Sequence, residues 1–323
     1  MSADAPPAFI VGLARSGTTW LAHALDSHPD IAVLGETAAM GRLHPGTEGP
    51  LPPHRARAYM EGIAARSRAL YEAEMAFAAQ ETARAGRAAR LTPPVPLAPE
   101  DRTAAALFPR ALAAVAQAQG KARAVEKTPH HLIWHRRIAR TFPDARFVVC
   151  LRDPYAAMLS YKHQGDRRGR EGRAAARSYH PIGFALVARA SFKAARTLLA
   201  ERGDRVLLVR DREIAEAPGE VLARVQHFLG AEVRALTHAP VNSSFPEGAR
   251  PGLAPADIFW LNLIALPSAR WYGVRRRASG AGVREVAASL AAAIPWAVFT
   301  AGLKRREQTM GFAAYVRGWV AGG

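Results

Sequence analysis

The chain has 323 residues, one cysteine and a formal net charge of +17, with 49% hydrophobic and 22% charged residues. That length can bury one large α/β core, and that composition excludes a chain disordered over most of its length. The lone Cys150, set in the apolar run Arg146-Phe-Val-Val-Cys-Leu151, excludes an intramolecular disulfide and a zinc knuckle and reads as a buried, inert thiol. The positive charge suits a polyanionic ligand, an anionic membrane surface or nucleic acid, and chooses among none of them. A general richness in Ala, Arg, Gly and Pro is an equally good account of it. The first residues carry no positive segment followed by a long apolar one, so no secretory signal is expected and a cytoplasmic location is.

In chain order, Ala8 to Leu13 is a β-rich run and Thr18 to Leu25 has helical spacing through Trp20, Leu21 and Leu25. A turn at Ser27-His-Pro-Asp30 leads to a second strand, Ile31 to Leu34, and then to Glu36. Residues 41–120 alternate Ala-rich helical stretches, such as Arg55 to Arg87, with a Pro-rich break at Leu91 to Pro99, and form an expected helical insertion. Alternation then resumes: strand Ala122 to Glu126, helix His131 to Thr141, strand Arg146 to Leu151, helix Tyr155 to His163, strand Val206 to Arg210, helix Pro218 to Leu229. Alternating strands and helices imply a parallel sheet covered on both faces. The expected class is therefore α/β, a P-loop NTPase-like parallel sheet flanked by helices, with a main domain over 1–245 and a helical C-terminal region over 246–323.

That last region holds Trp260, Trp271, Trp296 and Trp319, and Val286 to Leu303 carries no charge between Arg284-Glu285 and Lys304-Arg-Arg306. Its length is the minimum for a bilayer span, but Pro295 interrupts it and Ala dominates it. A helix packed on the protein or lying at a membrane surface fits better than a span.

Gly12-Leu-Ala-Arg-Ser-Gly-Thr-Thr19 follows a strand and precedes a helix, with four residues between its glycines. Such a loop turns tightly, aims successive N–H groups inward and adds the positive end of a helix dipole, which together hold a phosphate-like anion. The ATP-binding form of the loop needs Lys after the second Gly; Thr18 stands there, and Arg15 lies inside the loop instead. Val148-Val-Cys-Leu-Arg-Asp-Pro puts Arg152 at the end of a buried strand, where ligands meet an open α/β sheet, with Ser160 two turns into the next helix.

Together these segments resemble the sulfotransferases that use 3′-phosphoadenosine 5′-phosphosulfate (PAPS). Arg15-Ser-Gly-Thr-Thr-Trp20 is similar to their 5′-phosphosulfate loop, in the Arg form seen in the tyrosylprotein and bacterial branches. Arg152 and Ser160, eight positions later, resemble the pair that holds the 3′-phosphate. The resemblance, which runs from Ala8 to about Phe245, implies that Arg15, Ser16, Gly17, Thr18, Thr19, Arg152 and Ser160 bind PAPS as co-substrate. Glu36 matches the catalytic Glu of the tyrosylprotein branch by position and is the expected general base, with His130 or His131 as alternatives. Lys127, in Val125-Glu-Lys-Thr-Pro129, is the expected neutraliser of the leaving oxygen, helped by Arg15, and no metal is required. Val241-Asn-Ser-Ser-Phe245 is similar to a late nucleotide-side segment. Asp211-Arg-Glu-Ile214 departs from the Tyr-Glu-Asp-Leu run of relatives, and their late Lys-Gly-rich loop is not evident.

The implied reaction is sulfuryl transfer to a hydroxyl or amine of a small molecule, lipid or glycan, with no nucleic-acid partner. The uncharged tail adds a peripheral membrane contact to the expectation. Oligomeric state carries no sequence signal. The competing readings are a nucleotide kinase-like P-loop enzyme, which the missing Lys disfavours, and a non-catalytic basic module, for which no nucleic-acid motif is present.

Overall fold

The computed structural model describes residues 6–78, 98–164, 178–236 and 251–306. Five parallel strands, β1 (Ala8–Gly12), β2 (Ile31–Gly35), β3 (Arg123–Lys127), β4 (Arg146–Leu151) and β5 (Val206–Arg210), form one sheet in the order β2-β3-β1-β4-β5. The register sets Gly12 opposite Cys150, Gly35 opposite Lys127 and Leu151 opposite Arg210, so the carboxyl ends of all five strands converge on one edge. The order reverses at β1, and the crevice outside that reversal is where an open parallel sheet binds ligands.

Successive side chains in a strand point to opposite faces. Phe9, Val11, Phe147, Val149 and Leu151 therefore join one core cluster, and Ile10, Val148, Cys150 and Val209 the other. The second cluster is closed by α1 (Thr18–Asp26) through Leu21 and Leu25 and by Pro218–Leu229 through Val221, Leu222 and Val225. The first is closed by α2 (Pro53–Ala78), α3 (Ala104–Ala118) and the helix Pro181–Arg202. Phe9 is its centre, stacked on Phe108 and Phe147 at centroid distances of 5.5 and 5.7 Å.

Every expected strand is present to within a residue, and the buried Cys150 thiol is pushed up to about 12 by desolvation. The expected helix His131 to Thr141 is corrected to a 3-10 turn, Pro129–Trp134, followed by an α-helix, His135–Thr141. Helix Pro181–Arg202, 22 residues long, has no counterpart in the sequence reading. Its apolar face is Phe184, Ala185, Ala188, Phe192, Ala195 and Leu198, so alanines blunt the periodicity that would reveal it. Pro295 does not interrupt the C-terminal run: one helix spans Val283–Arg306 with Pro295 inside it. Trp260, Leu261 and Leu266, beyond the expected end of the main domain, belong to the first core cluster.

The P-loop NTPase-like class is also corrected, and the reason lies in the loop after β1. An NTPase loop needs a Lys reaching from the helix start to the terminal phosphates. Thr18 occupies that place and is 3% exposed, leaving a Rossmann-like sheet with a glycine loop of another kind.

Phe108 is fully buried, and its truncation leaves a cavity against Phe9 and Phe142. Phe108→Ala is expected to cost about 3–5 kcal/mol, read as a lower urea midpoint at unchanged m value.

Candidate active site

The loop between β1 and α1 is shaped by close approach. A side chain on Gly12 would overlap the Cys150 carbonyl oxygen, and one on Gly17 (φ 87°) would place its Cβ 2.7 Å from Ile214 Cδ1. Between them Arg15 takes a φ of 69°, a left-handed backbone that a non-glycine residue adopts at a cost of about 1–3 kcal/mol. That conformation presents its guanidinium to the next strand over. Arg15 Nε donates to Ser160 Oγ at 3.1 Å, and Arg152 Nη1 donates to the Arg15 carbonyl at 3.3 Å.

Arg152 and Ser160 owe their places to one local device. The Asp153 side chain caps the helix Pro154–Lys162 by accepting from Tyr155 N and Ala156 N, and Pro154 occupies the first helical position. The Arg-Asp-Pro segment is thus strand end, cap and helix start, and it aims Ser160 back at the loop. Arg152 also pairs with Asp211 at 3.2 Å, at the end of β5. Burial pushes the Asp211 carboxyl above its ordinary value, and the Arg152 guanidinium offsets part of that.

On the other side of β1, the chain leaving β2 is bent through Glu36 (φ 36°) and Ala38 (φ 55°). Every backbone N–H of residues 36–40 has a named acceptor. Glu36 N donates to Lys127 O at 2.5 Å, Thr37 N to Glu126 Oε1 at 3.3 Å and Ala38 N to Thr128 Oγ1 at 3.2 Å. Ala39 N donates to Thr37 Oγ1 at 3.1 Å and Met40 N to His131 Nε2 at 3.2 Å. The hub is Glu126, fully buried, whose Oε1 also accepts from the Thr37 hydroxyl at 2.8 Å and from the Thr128 hydroxyl. His131 Nδ1 lies 2.8 Å from Glu126 Oε2; because Nε2 accepts from Met40, the proton belongs on Nδ1, which donates to the carboxylate.

Glu36 emerges half-buried from this bend, and Lys127 Nζ, nearly inaccessible, donates to its Oε1 at 3.1 Å. Burial pushes the Glu36 carboxyl up, but the Lys127 ammonium and its hydrogen bond, with help from His130 and Arg66, hold it below the ordinary value. Lys127 is therefore no surface lysine.

A cavity of about 260 Å³ joins the two halves, with Arg15, Thr18 and Thr19 on one wall and Glu36, Thr128 and His130 on another. His131 also borders it but is 1% exposed with both ring nitrogens engaged. Three lining residues had no sequence signal: Arg66, whose Nε donates to Glu36 O at 3.4 Å, Trp134 and Tyr161. Asp211 entered the sequence reading only as part of the run that departs from the relatives' Tyr-Glu-Asp-Leu. The segment Val241 to Phe245 lies outside the described residues.

Replacing Glu126 by Gln puts one amide NH2 among three hydroxyl and amide donors or against His131 Nδ1–H. If His131 shifts its proton to Nε2, that nitrogen then faces Met40 N–H. One buried donor is left unmatched in either case, so Glu126→Gln is expected to destabilise the fold by about 1–3 kcal/mol in urea unfolding.

Residues 6–235 match the model of the Sulfotransferase family. Among solved structures, the sulfotransferase domain of the Synechococcus PCC 7002 olefin synthase is 20% identical, over 84% of this chain and 95% of that one, with a TM-score of 0.48. A sulfotransferase from Alicyclobacillus acidocaldarius is 20% identical, over 84% and 96%, with a TM-score of 0.44. No curated protein matches the chain. The family match overturns the P-loop NTPase-like assignment, as the missing loop lysine requires, and with it the kinase-like and non-catalytic readings. The chain belongs to the sulfotransferase family, and its reaction is PAPS-dependent sulfuryl transfer.

Proposed function

We propose that the cavity is the transfer site, with the 5′-phosphosulfate held by Arg15, Ser16, Gly17, Thr18 and Thr19 and the 3′-phosphate by Arg152 and Ser160. The observation that carries this reading is the hydrogen bond from Arg15 to Ser160, which ties the two expected anion sites together beside a cavity that also holds Glu36. A second one fits it: Ser16 Oγ is buried with no hydrogen-bond partner among the described residues, as a group awaiting a ligand oxygen would be.

PAPS supplies an activated sulfuryl group whose sulfur is bonded to the bridging oxygen of the leaving 3′,5′-adenosine bisphosphate. Glu36 takes the proton of the acceptor O–H or N–H as the acceptor atom bonds to sulfur. Lys127 and Arg15 neutralise the charge that builds on the bridging oxygen as its bond to sulfur breaks. Positive charge comes from these side chains and not from a metal. Lys127 has two duties in this scheme. Paired with Glu36, it makes that carboxylate a weak base; turned toward the leaving oxygen, it releases Glu36 to a higher pKa, nearer the value a general base needs. The acceptor is a hydroxyl or amine of a small molecule, lipid or glycan; the enzyme is cytoplasmic, and nucleic acid has no part in the reaction.

Calorimetric titration tests the nucleotide site. Wild type is expected to bind 3′,5′-adenosine bisphosphate far more tightly than AMP, and Arg152→Ala to lose about 10- to 100-fold of that preference, the worth of a charge-assisted hydrogen bond. Equal binding of both nucleotides by wild type would remove Arg152 and Ser160 from the site.

Glu36→Gln is expected to lower turnover by about 10²- to 10⁴-fold while bisphosphate affinity stays within a few-fold. The pH dependence has a definite sign. The Glu36 value is depressed in the folded protein, so its pairing with Lys127 contributes stability above the ordinary value of 4.5 that is lost as pH falls through the folded value. In Lys127→Met, burial remains without the ammonium, so the carboxyl should rise above 4.5, and the acid limb of the residual kcat/KM should move up with it. A limb that stays put in the variant would show that Glu36 is not the group it reports.

A further inference from the structure

Among the described residues, one helix is built inside out. Of Val283–Arg306, the half-buried positions include Val286, Ser289, Ala293, Trp296 and Thr300, a stripe with steps of three and four that faces the domain. That stripe carries the polar groups of the uncharged stretch. Ser289 Oγ accepts from Trp260 Nε1 at 2.9 Å, Ser289 O pairs with His180 Nε2 at 3.1 Å, and Trp296 Nε1 donates to Ser178 O at 3.1 Å. Trp296 seats directly over Gly183, where any side chain would collide with the indole.

The outward face is apolar. Leu290, Ile294 and Val298, one row at i, i+4 and i+8, are 55%, 71% and 70% exposed, and Phe299 and Val283 are exposed beside them. None of the window Val283–Gly302 is buried inside the protein. A helix solvated by water turns its polar face outward; this one turns it inward. Two apolar side chains on the elements that carry it, Leu186 and Leu263, are exposed as well.

The ends of the helix say what covers that face. Arg275, Arg276 and Arg277 are exposed just before it, Arg284 lies in its first turn, and the sequence closes it with Lys304-Arg305-Arg306; Glu285 is the one acid between residues 275 and 306. Cations at both ends of an apolar face match a bilayer that presents negative headgroups around a hydrocarbon interior. The inward stripe is committed to the domain, so lipid cannot surround the helix as it surrounds a span. We infer that Val283–Arg306 lies in the plane of an anionic phospholipid surface and docks the enzyme there, a property independent of the catalytic assignments.

The test is co-sedimentation of the full chain with vesicles of phosphatidylcholine alone and of an equimolar mixture with phosphatidylglycerol. The wild type is expected to bind the mixed vesicles, to bind phosphatidylcholine at least about tenfold more weakly, and to be released by high salt or alkaline carbonate. The triple variant Leu290→Glu, Ile294→Glu, Val298→Glu should stay in the supernatant with an unchanged circular dichroism spectrum. Should it fail to fold, Leu290→Ser, Ile294→Ser, Val298→Ser carries the same expectation. Wild type that ignores both vesicles, binding that survives either folded variant, or resistance to carbonate, which marks a span, would each overturn the inference. So would concentration-dependent dimerisation without vesicle binding, which would give the face to a second copy of the chain.

Discussion

A single buried carboxylate holds the bend that carries Glu36 to the cavity. Glu126 sits at zero exposure in the middle of the sheet edge and accepts from Thr37, Thr128 and His131 at once. A carboxylate in that position is tolerable only when its oxygens are hydrogen-bonded, and here Oε1 accepts from Thr37 and Thr128 and Oε2 from His131. What the network fixes is a backbone that would not otherwise persist. The bend carrying Glu36 and Ala38 needs two left-handed residues without glycine, each costing about 1–3 kcal/mol. Hydrogen bonds donated by the amides of residues 36, 37, 38 and 40 to residues 126–131, and by Ala39 N to Thr37 Oγ1, supply the compensation. Glu36 therefore points at the cavity because Glu126 does not move.

The loop after β1 is organised by crowding. Gly12 lies against the Cys150 carbonyl, so β1 and β4 approach too closely for any side chain, and the loop that follows must rise over the end of β4. That brings Arg15 within reach of Ser160 and puts its carbonyl against Arg152. Arg15, Arg42, Arg66 and His130 share the cavity with Glu36, whose charge is already matched by Lys127. The described residues of the cavity wall thus include three arginines beside one paired carboxylate, in a partly enclosed space where the dielectric is below that of water. Cationic side chains gathered in such a space attract an anionic ligand more strongly than they would in open water.

The strands were legible because each is a short apolar run bounded by turn residues, and the loop because its glycines are spaced for a tight turn before a helix. The places of Arg15, Arg152 and Ser160 at a loop, a strand end and a helix followed from the same boundaries, while their roles came only from the family resemblance. Helix Pro181–Arg202 escaped because alanines fill its buried face. The Glu126 network escaped because its partners come from two segments some ninety residues apart, Thr37 and residues 126–131, and no local spacing marks side chains that meet only across neighbouring strands. The fold class failed at one residue: the glycine spacing suggested an NTPase loop, and Thr18 in place of Lys was the sign against it.

Continuity joins the cavity to the C-terminal helix. Tyr161, on the cavity wall, packs its ring 5.4 Å from that of Phe184, and Phe184 follows Gly183, the seat of Trp296. His180, which caps the Pro181–Arg202 helix by accepting from Ile182 N, also packs its ring, tilted, 5.2 Å from that of Trp296 and bonds to Ser289 O. The residues that seat the outer helix are thus the first turn of the helix that supports the cavity wall. Close-packed interiors transmit small displacements because they have no voids to absorb them. A force that shifts Val283–Arg306 against the domain therefore acts on Phe184 and on Tyr161 of the cavity wall before it acts on the sheet.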